Sequence, residues 1–247
     1  MAVITVTSGK GGVGKTTTTI NLGAALNALN KEVIIVDANL TTPNVGLHLG
    51  APIVPVNLNH VMQGKAKVGD AIYEHDSGTK VIPSSLSVKE LRKINHSKLT
   101  DVAKKLRGMA DFVLLDSAAG LGDEAVASIE AADELVIVTN PEITAVTDAL
   151  KTARLAQELG KKVRGVIVTR VSGNTHEMSI SNIKEMLDLP ILGVIPEDKK
   201  ILASLRHKDA VIHMYPYTKS ALAYKRIAAK IAGVSYKEPG FWKKLIG

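Results

Sequence analysis

The sequence predicts an α/β fold: a single doubly wound, mostly parallel sheet with helices on both faces. Short runs rich in β-branched residues alternate with longer stretches whose apolar residues have helical spacing, and this alternation indicates right-handed crossover connections. The short runs are almost continuously apolar, which is typical of strands covered on both faces. With 247 residues, of which 45% are hydrophobic and 22% charged, the chain is long enough to bury a large core.

Each predicted element follows from this alternation. The predicted strands cover residues 3–7, 33–37, 80–83, 112–116, 135–139, 164–169 and 191–196. The predicted helices cover residues 16–29, 97–107, 123–132, 144–159, 177–187 and 218–232. Residues 1–232 are therefore expected to form one domain. The composition changes after Gly233, so we interpret residues 233–240 as a connector and residues 241–247 as an amphipathic tail.

The composition excludes several kinds of site. The absence of cysteine excludes disulfides, thiolate zinc sites, cysteine-ligated iron–sulfur clusters and a cysteine nucleophile. The longest stretch without Asp, Glu, Lys or Arg, residues 38–64, contains three prolines and four asparagines, so no transmembrane helix is predicted. The N-terminus has no basic segment ahead of an apolar run, and we therefore expect a cytoplasmic protein.

A glycine-rich octet, GKGGVGKT at residues 9–16, lies between the first predicted strand and helix and fits the phosphate-loop pattern G-x-x-x-x-G-K-[ST]. Glycines let backbone N–H groups curl around phosphates, and the following helix directs its positive end toward the same anion. We expect Lys15 to reach the β- and γ-phosphates of ATP and the Thr16 hydroxyl to bind Mg²⁺. The fold is thereby narrowed to a phosphate-loop NTPase. The loop residues predicted to bind nucleotide are Gly11, Gly12, Val13, Gly14, Lys15, Thr16 and Thr17.

Lys10 stands at the second position of the octet, where a generic phosphate loop needs no charge. The segment SGKGGVGKTTTTINLG resembles the deviant phosphate loop, or deviant Walker A motif, of the MinD/ParA family of ATPases, and the resemblance covers nearly the entire chain. It implies that Lys10 contacts the nucleotide of the other subunit in an ATP-sandwiched homodimer. Two facing anionic sites repel each other until each lysine crosses over, so we expect dimerisation to depend on nucleotide.

Two strand-terminal acids complete the predicted phosphate site. Asp116 ends an apolar strand, as expected of a Walker-B segment that holds Mg²⁺ through water, and Asp37 ends the strand after the first helix. Taken alone, either acid is also compatible with capping a helix or turn. The resemblance implies that Asp37 begins a D-x-D switch and that Gly120, in the segment DSAAGL, can place an N–H near the γ-phosphate. The predicted metal ligands are Thr16, Asp37 and Asp116.

Asn39 departs from the family pattern, which usually has a second Asp at this third switch position to help position or activate the attacking water. An amide can orient water but cannot accept its proton or add negative charge. We therefore expect slow hydrolysis, or hydrolysis that needs an activating partner, while ATP binding and dimerisation remain. The predicted catalytic residues are Lys10, Lys15, Asp37, Asn39 and Gly120.

The base-binding end of the site is predicted from resemblance to later loops of the family. Where the family often has Asn-Arg at the end of a strand, with the Asn reading the base edge, this chain has Thr169 and Arg170. Arg170 could stack on the base. The segment IPED resembles the loop whose backbone borders adenine, which assigns Pro196 and Asp198 to the same end.

The end of the chain combines aromatic and basic residues. Residues 219–247 contain seven Lys or Arg and one acid, so six of the seven formal positive charges lie there, and we interpret the basic character as that of a tail. In a helical turn, four apolar side chains would gather opposite two lysines, as in an interfacial membrane anchor. The anchor residues are Phe241, Trp242, Lys243, Lys244, Leu245 and Ile246. This segment resembles the membrane-targeting sequence of the MinD branch of the family, although docking of its aromatics onto a subunit body is an alternative.

Together these features predict an ATPase that dimerises with ATP and Mg²⁺ and binds reversibly to an anionic membrane at the inner face of the cell membrane. There it would position a partner protein, such as cell-division or other polar machinery. One rival is a ParA-type ATPase that partitions DNA and uses the basic tail on nucleic acid phosphates. Another is an ATP-dependent membrane adaptor that does not hydrolyse ATP, which Asn39 supports.

Overall fold

A computed structural model describes residues 1–91 and 95–238. The strands are β1 (Ala2–Ser8), β2 (Val33–Ala38), β3 (Tyr73–Glu74), β4 (Lys80–Ile82), β5 (Phe112–Ala119), β6 (Glu134–Thr139), β7 (Lys162–Val171) and β8 (Ile191–Pro196). Within the described residues they form one eight-stranded sheet in the order β3-β4-β2-β5-β1-β6-β7-β8. The neighbouring strands are parallel, except that β3 pairs antiparallel with β4 at one edge.

Helices connect the strands and cover both faces of the sheet. They are α1 (Lys15–Asn27), α2 (Val45–His48), α3 (Leu58–Met62), α4 (Val88–Leu91), α5 (Lys98–Leu106), α6 (Asp123–Ala131), α7 (Ile143–Glu158), α8 (Ile180–Leu187), α9 (Lys199–Arg206), α10 (Val211–Met214) and α11 (Lys219–Ala232). A 3₁₀ turn, Val68–Ala71, precedes β3. No helix in residues 1–91 or 95–238 is both long enough and apolar enough to cross a bilayer.

The hydrophobic core is divided between the two faces of the sheet. Ile4 in β1 packs with α1, α10 and α11, whereas the preceding Val3 packs with α3 and α5 on the opposite face. The helices α7 and α8 pack against Ile137 and Val166 of β6 and β7. Successive side chains of one strand thus enter two different layers, which explains why the strands are apolar without alternation. The predicted doubly wound α/β fold is confirmed.

The predicted strands are all present with small shifts at their ends, while β3 was not predicted. The helix predicted from residue 177 begins at Ile180, because the Ser179 side chain accepts a hydrogen bond from the Asn182 N–H and caps it there. The last helix ends at Ala232, where Gly233 adopts a left-handed φ of 67°. Residues 239–247, which include all the predicted anchor residues, lie outside the described part of the chain.

The sheet brings the predicted phosphate-binding residues to one edge. The carboxyl ends of β1, β2 and β5 lie side by side, since β5 pairs in parallel with both of the others. Asp37 of β2 is directly in register with Asp116 of β5. The phosphate loop leaves the same edge after Ser8 and enters α1 at Lys15. In open parallel sheets ligands bind at this edge, where neighbouring connections diverge.

Candidate nucleotide-binding site

The phosphate loop is held in a conformation that glycine makes possible. Gly12 and Gly14 have φ values of 81° and 87°, in the left-handed region that residues with a side chain rarely adopt. A Cβ atom added at Gly11 or Gly12 would have no described atom within 4 Å, so the loop lies beside open space. Backbone N–H groups in such turns, followed by a helix N-terminus, form an anion-binding concavity. The loop is therefore shaped to receive phosphate groups.

Two adjoining cavities lie at this loop. The larger, about 380 Å³, is lined by the loop and α1 on one side and by residues that include Asn39, Asn44 and His48 on the other. The smaller, about 310 Å³, is lined by Thr169, Pro196 and Asp198 among others. Gly14, Thr17 and Arg170 line both cavities. The pair offers a polar compartment for phosphates joined to a more apolar one for a base, within the size range of ligand pockets.

Asp116 of β5 is fully buried and contacts the last residues of the phosphate loop. The Thr16 hydroxyl donates to its Oδ2 at 2.6 Å, and the Thr19 hydroxyl donates to its Oδ1 at 3.1 Å. The Lys15 ammonium lies 3.8 Å from Oδ1. The Asp116 carboxylate thus orients the Thr16 hydroxyl, which is predicted to bind Mg²⁺. It also lies beside Lys15, which is predicted to contact the phosphates.

Asp37 is also fully buried and holds the loop that follows β2. Its Oδ2 accepts hydrogen bonds from the Asn44 and Val45 N–H groups at 2.9 Å each. Burial raises the pKa of Asp37 well above its usual value, and the nearby Asp116 carboxylate raises it further, although the backbone donors oppose this. The alternative capping role of Asp37 is therefore present in the structure.

These residues fit Mg²⁺ held together with a triphosphate. Two buried carboxylates that repel each other in adjacent strands are stabilised by a divalent cation, and hydroxyl and carboxylate oxygens are suitable ligands. Among the described residues, no group of three or more His, Cys, Asp or Glu side chains could hold a metal ion on its own. Such sparse protein ligation suits Mg²⁺, which usually keeps waters and binds substrate phosphates. Thr16 and Asp116 would hold it, directly or through water.

The Asn39 amide is used inside its own loop. Its Nδ2 donates to the Thr42 carbonyl at 2.6 Å, and its Oδ1 accepts from the Thr42 hydroxyl at 3.0 Å. Gly120 likewise has an internal partner, because its N–H donates to the Ser8 carbonyl at 2.9 Å rather than pointing into the cavity. The structure therefore brings both residues to the phosphate edge, but it assigns their polar groups to loop contacts.

Lys10 extends along the surface from the phosphate loop to the start of α7. Its ammonium lies 3.0 Å from the Glu142 carboxylate and 3.3 Å from the Thr144 hydroxyl, and 41% of its side chain is exposed. The hydrogen bond and charge of Lys10 lower the pKa of Glu142. The Asn140 amide also donates to Glu142, at 2.7 Å. In the single chain Lys10 is thus paired at the surface, where a second subunit could reach it.

The predicted base-binding residues share the smaller cavity, but two of them have internal partners. The Thr169 hydroxyl lies 2.7 Å from the Val13 carbonyl and 3.1 Å from that of Thr139. The Asp198 carboxylate caps α9 through the Lys200 N–H at 2.9 Å and accepts from the Ser220 hydroxyl at 2.6 Å. Neither side chain is positioned as a free reader of the base edge. Arg170, which follows Thr169 in the chain, has a φ of 54° and borders both cavities.

Sequence reasoning missed Tyr224 and His48. Tyr224 of α11 lines the base compartment, and burial raises the pKa of its hydroxyl to about 12. His48 of α2 lines the phosphate compartment, whereas the sequence showed no ligand spacing among the histidines. Its position on the same connection as Asp37 and Asn39 was the available signal.

Four of the seven basic residues counted in residues 219–247 lie in α11, within the predicted domain of residues 1–232, so attributing the basic character to a tail was wrong. Tyr224 and Ala228 of α11 are buried in the core beside α1. The Lys225 and Lys230 ammonium groups donate to main-chain carbonyls at 3.0 and 2.7 Å, and Arg226 pairs with Glu238 at 2.7 Å. The apolar residues of α11 have amphipathic spacing and bury one face of the helix, while the charged groups lie at the edges of that face.

Comparisons with known proteins agree with this architecture. Residues 4–211 match the family model of the CobQ/CobB/MinD/ParA nucleotide binding domain. The chain is 38% identical over 234 residues to an uncharacterised ATP-binding protein of Methanocaldococcus jannaschii, covering 95% of this chain and 89% of that protein.

Solved structures show the same fold. The septum site-determining protein MinD of Pyrococcus horikoshii, complexed with Mg-ADP, has a TM-score of 0.89 and 34% identity, covering 93% of this chain and 95% of its own. A chain of the MinC:MinD cell division protein complex of Aquifex aeolicus has a TM-score of 0.86 and 27% identity. The match covers 97% of this chain and 99% of that chain. With the phosphate loop, the paired acids Asp37 and Asp116 on adjacent strands and the additional loop lysine Lys10, this chain belongs to the MinD/ParA family of ATPases.

Proposed function

We propose that this protein binds ATP with Mg²⁺, hydrolyses it slowly, and forms an ATP-sandwiched homodimer that attaches reversibly to a membrane and positions a partner protein. The observation that carries the proposal is the cluster of Lys15, Thr16 and buried Asp116 at the phosphate loop, with Lys10 at the exposed rim. The Mg-ADP complex of the Pyrococcus relative supports the choice of ligand.

Different residues of the chain would bind the phosphates, hold Mg²⁺ and contact the second subunit. The loop N–H groups and Lys15 bind and orient the β- and γ-phosphates, while Thr16, held by Asp116, presents its oxygen to Mg²⁺. The cation supplies charge neutralisation at the phosphoryl oxygens. Lys10 would leave Glu142 and contact the triphosphate of the second subunit. Positioning and electrostatic stabilisation account for most phosphoryl-transfer catalysis, so these side chains are sufficient for a slow ATPase.

Lys15→Ala tests the ATPase. We expect Mg-ATP-dependent phosphate release to fall about 100-fold or more, because one preorganised donor at the transferring group is lost. Phosphate release and fluorescent-nucleotide binding measure this. Lys151→Ala is a matched control, since Lys151 is an exposed lysine that pairs with Asp148 on α7. If Lys15→Ala and the native chain released phosphate at equal rates, the phosphate loop would not be the catalytic site.

Membrane attachment is proposed from residues 241–246. Burying four large apolar side chains contributes about 1.5–3 kcal/mol each at most, before the ordering of the segment opposes it. Each lysine near anionic lipid adds about 1 kcal/mol. A single copy would bind weakly, whereas two copies on a dimer act together. ATP would therefore control attachment by controlling the dimer, and hydrolysis would release both.

Vesicle sedimentation measures this attachment. With a non-hydrolysable ATP analogue and vesicles containing phosphatidylserine, we expect the full chain to pellet and a chain ending at Gly240 to stay in the supernatant. Without nucleotide, both should stay in the supernatant. Lys237→Ala, in the connector, is a control that should pellet like the native chain. Equal pelleting of the full and shortened chains would contradict the anchor.

A second candidate is an ATP-dependent adaptor that does not hydrolyse ATP, and the internal hydrogen bonds of Asn39 favour it. Both candidates need a protein partner, and the MinC:MinD complex shows that a relative has one. Phosphate release by the native chain separates them. DNA partitioning is less well supported, because Lys225, Arg226 and Lys230 of α11 are engaged within the chain.

A further inference from the structure

His48 lines the phosphate cavity but not the base compartment. Gly14, Thr17 and Arg170 border both cavities and therefore mark the base end. His48 lines the larger cavity together with Asn39 and is not among the described residues that line the smaller one. A nucleotide with its base in the smaller cavity and its phosphates along the loop would extend into the cavity that His48 lines.

Several polar groups in and beside the loop between β2 and α2 have partners within the chain. The Asp37 carboxylate holds backbone N–H groups, and both ends of the Asn39 amide bond to Thr42. The Asn44 amide donates to the Thr42 carbonyl at 2.7 Å. These hydrogen bonds shape the loop between β2 and α2 and hold the Asn39 and Asn44 amides against Thr42.

The His48 ring differs from these groups. Its Nδ1 is buried and has no hydrogen-bond partner among the described residues. Buried polar atoms in folded proteins nearly always have partners, and an exception calls for a bound water, ion or ligand. The Nδ1 atom of a residue that lines the phosphate cavity therefore has hydrogen-bonding capacity that no described group of the fold uses.

The surroundings of His48 favour a neutral ring. Burial lowers the pKa of His48, although the Asp116 carboxylate acts in the opposite direction. The charged groups that line the same cavity are Lys15 on α1 and Arg170 on β7, and the buried carboxylates of Asp37 and Asp116 lie on the neighbouring strands β2 and β5. A neutral imidazole has one N–H donor and one acceptor nitrogen, so it can accept a hydrogen bond from water near neutral pH.

We propose that His48 positions the water molecule that attacks the γ-phosphate, while the Asn39 amide is bonded to Thr42 within its own loop. This inference rests on the proposed ATPase activity. The water oxygen forms a bond to the γ-phosphorus while the bond from that phosphorus to the bridging oxygen breaks, and ADP leaves with the electron pair. The water proton leaves with inorganic phosphate, so His48 orients the nucleophile without having to retain its proton.

Three substitutions separate positioning from packing. His48→Leu keeps a side chain of similar size but removes both ring nitrogens. His48→Asn places a polar atom where Nδ1 lies, and His48→Gln places one where Nε2 lies. His96→Leu is the matched control, because the Nδ1 of His96 is also buried without a partner among the described residues but is not one of those lining the phosphate cavity.

Single-turnover release of γ-phosphate from Mg-ATP measures the step, together with nucleotide affinity and thermal unfolding. We expect His48→Leu to lower the rate about 10- to 100-fold, since an oriented water is lost, with ATP affinity and melting temperature unchanged. At least one of His48→Asn and His48→Gln should restore most of the rate, and His96→Leu should match the native chain. A merely structural role predicts no such rescue.

Two outcomes would overturn the proposal and are distinguishable from failure of the ATPase itself. If the native chain hydrolyses ATP and His48→Leu is equally fast, or if neither polar variant restores the rate, His48 does not position the water. If the native chain is no faster than Lys15→Ala, the ATPase proposal fails and the role of His48 fails with it.

Discussion

Replacing Lys10 with alanine is expected to weaken the proposed ATP-dependent homodimer strongly while leaving the monomer folded and able to bind Mg-ATP. Lys10 is bonded to Glu142 and Thr144 at the protein surface, and exposed ion pairs contribute little to stability. In a sandwich, two triphosphates face each other across the interface, and each needs a cation from the other chain. Without Lys10, mutual repulsion of the phosphates remains uncompensated in a site shielded from solvent, where charges interact strongly.

Light scattering with a non-hydrolysable ATP analogue measures this effect, and we expect the dimer to weaken at least about 100-fold on the scale of a lost buried ion pair. Fluorescent-nucleotide binding to the monomer should stay within a few-fold of the native value. Glu142→Gln is the matched control, because it removes the charge that holds Lys10 within its own chain. The Glu142→Gln variant should dimerise at the same protein concentration as the native chain or at a lower one. A stable Lys10→Ala dimer with ATP would contradict the sandwich.

Much of the fold could be predicted because long buried elements leave strong patterns. The strand β1 is buried along its length because Val3 and Ile4 enter different core layers, and the helix α5 buries residues at helical spacing along one face. The edge strand β3 has two residues and α2 has four, which are too few to show any period. The glycine octet predicted the phosphate loop because its backbone geometry requires those glycines.

The parts of the site that escaped prediction depend on loop conformation. Residue type predicted that Asn39 could orient water, but only the fold between β2 and α2 bonds its amide to Thr42. The same fold brings His48 into the cavity, and no sequence spacing relates it to the loop at Lys15. The basic residues of α11 looked like part of a tail because charge counts ignore which helix face is buried.

Replacing Gly9 with alanine should have the largest effect on stability of any change in the glycine octet. A Cβ atom at Gly9 would lie 2.2 Å from the carbonyl oxygen and 2.3 Å from the carbonyl carbon of Asp148. Both atoms belong to the backbone of α7, which is packed against β6 and cannot move alone. Overpacking of this kind typically lowers the free energy of unfolding by about 1–3 kcal/mol. The start of the phosphate loop must also shift, so nucleotide affinity should fall.

Urea denaturation measures the free energy of unfolding, and Gly11→Ala supplies the control. A Cβ atom at Gly11 would have no described atom within 4 Å, and the φ of Gly11 is not positive. The Gly11→Ala variant should therefore have the same urea midpoint of unfolding as the native chain. Equal midpoints for the two variants would show that α7 yields to the added methyl group. If they differ, the glycines of the octet serve separate physical needs. Gly9 admits the backbone of a neighbouring helix, whereas Gly12 and Gly14 supply the left-handed turns that curve the loop around an anion.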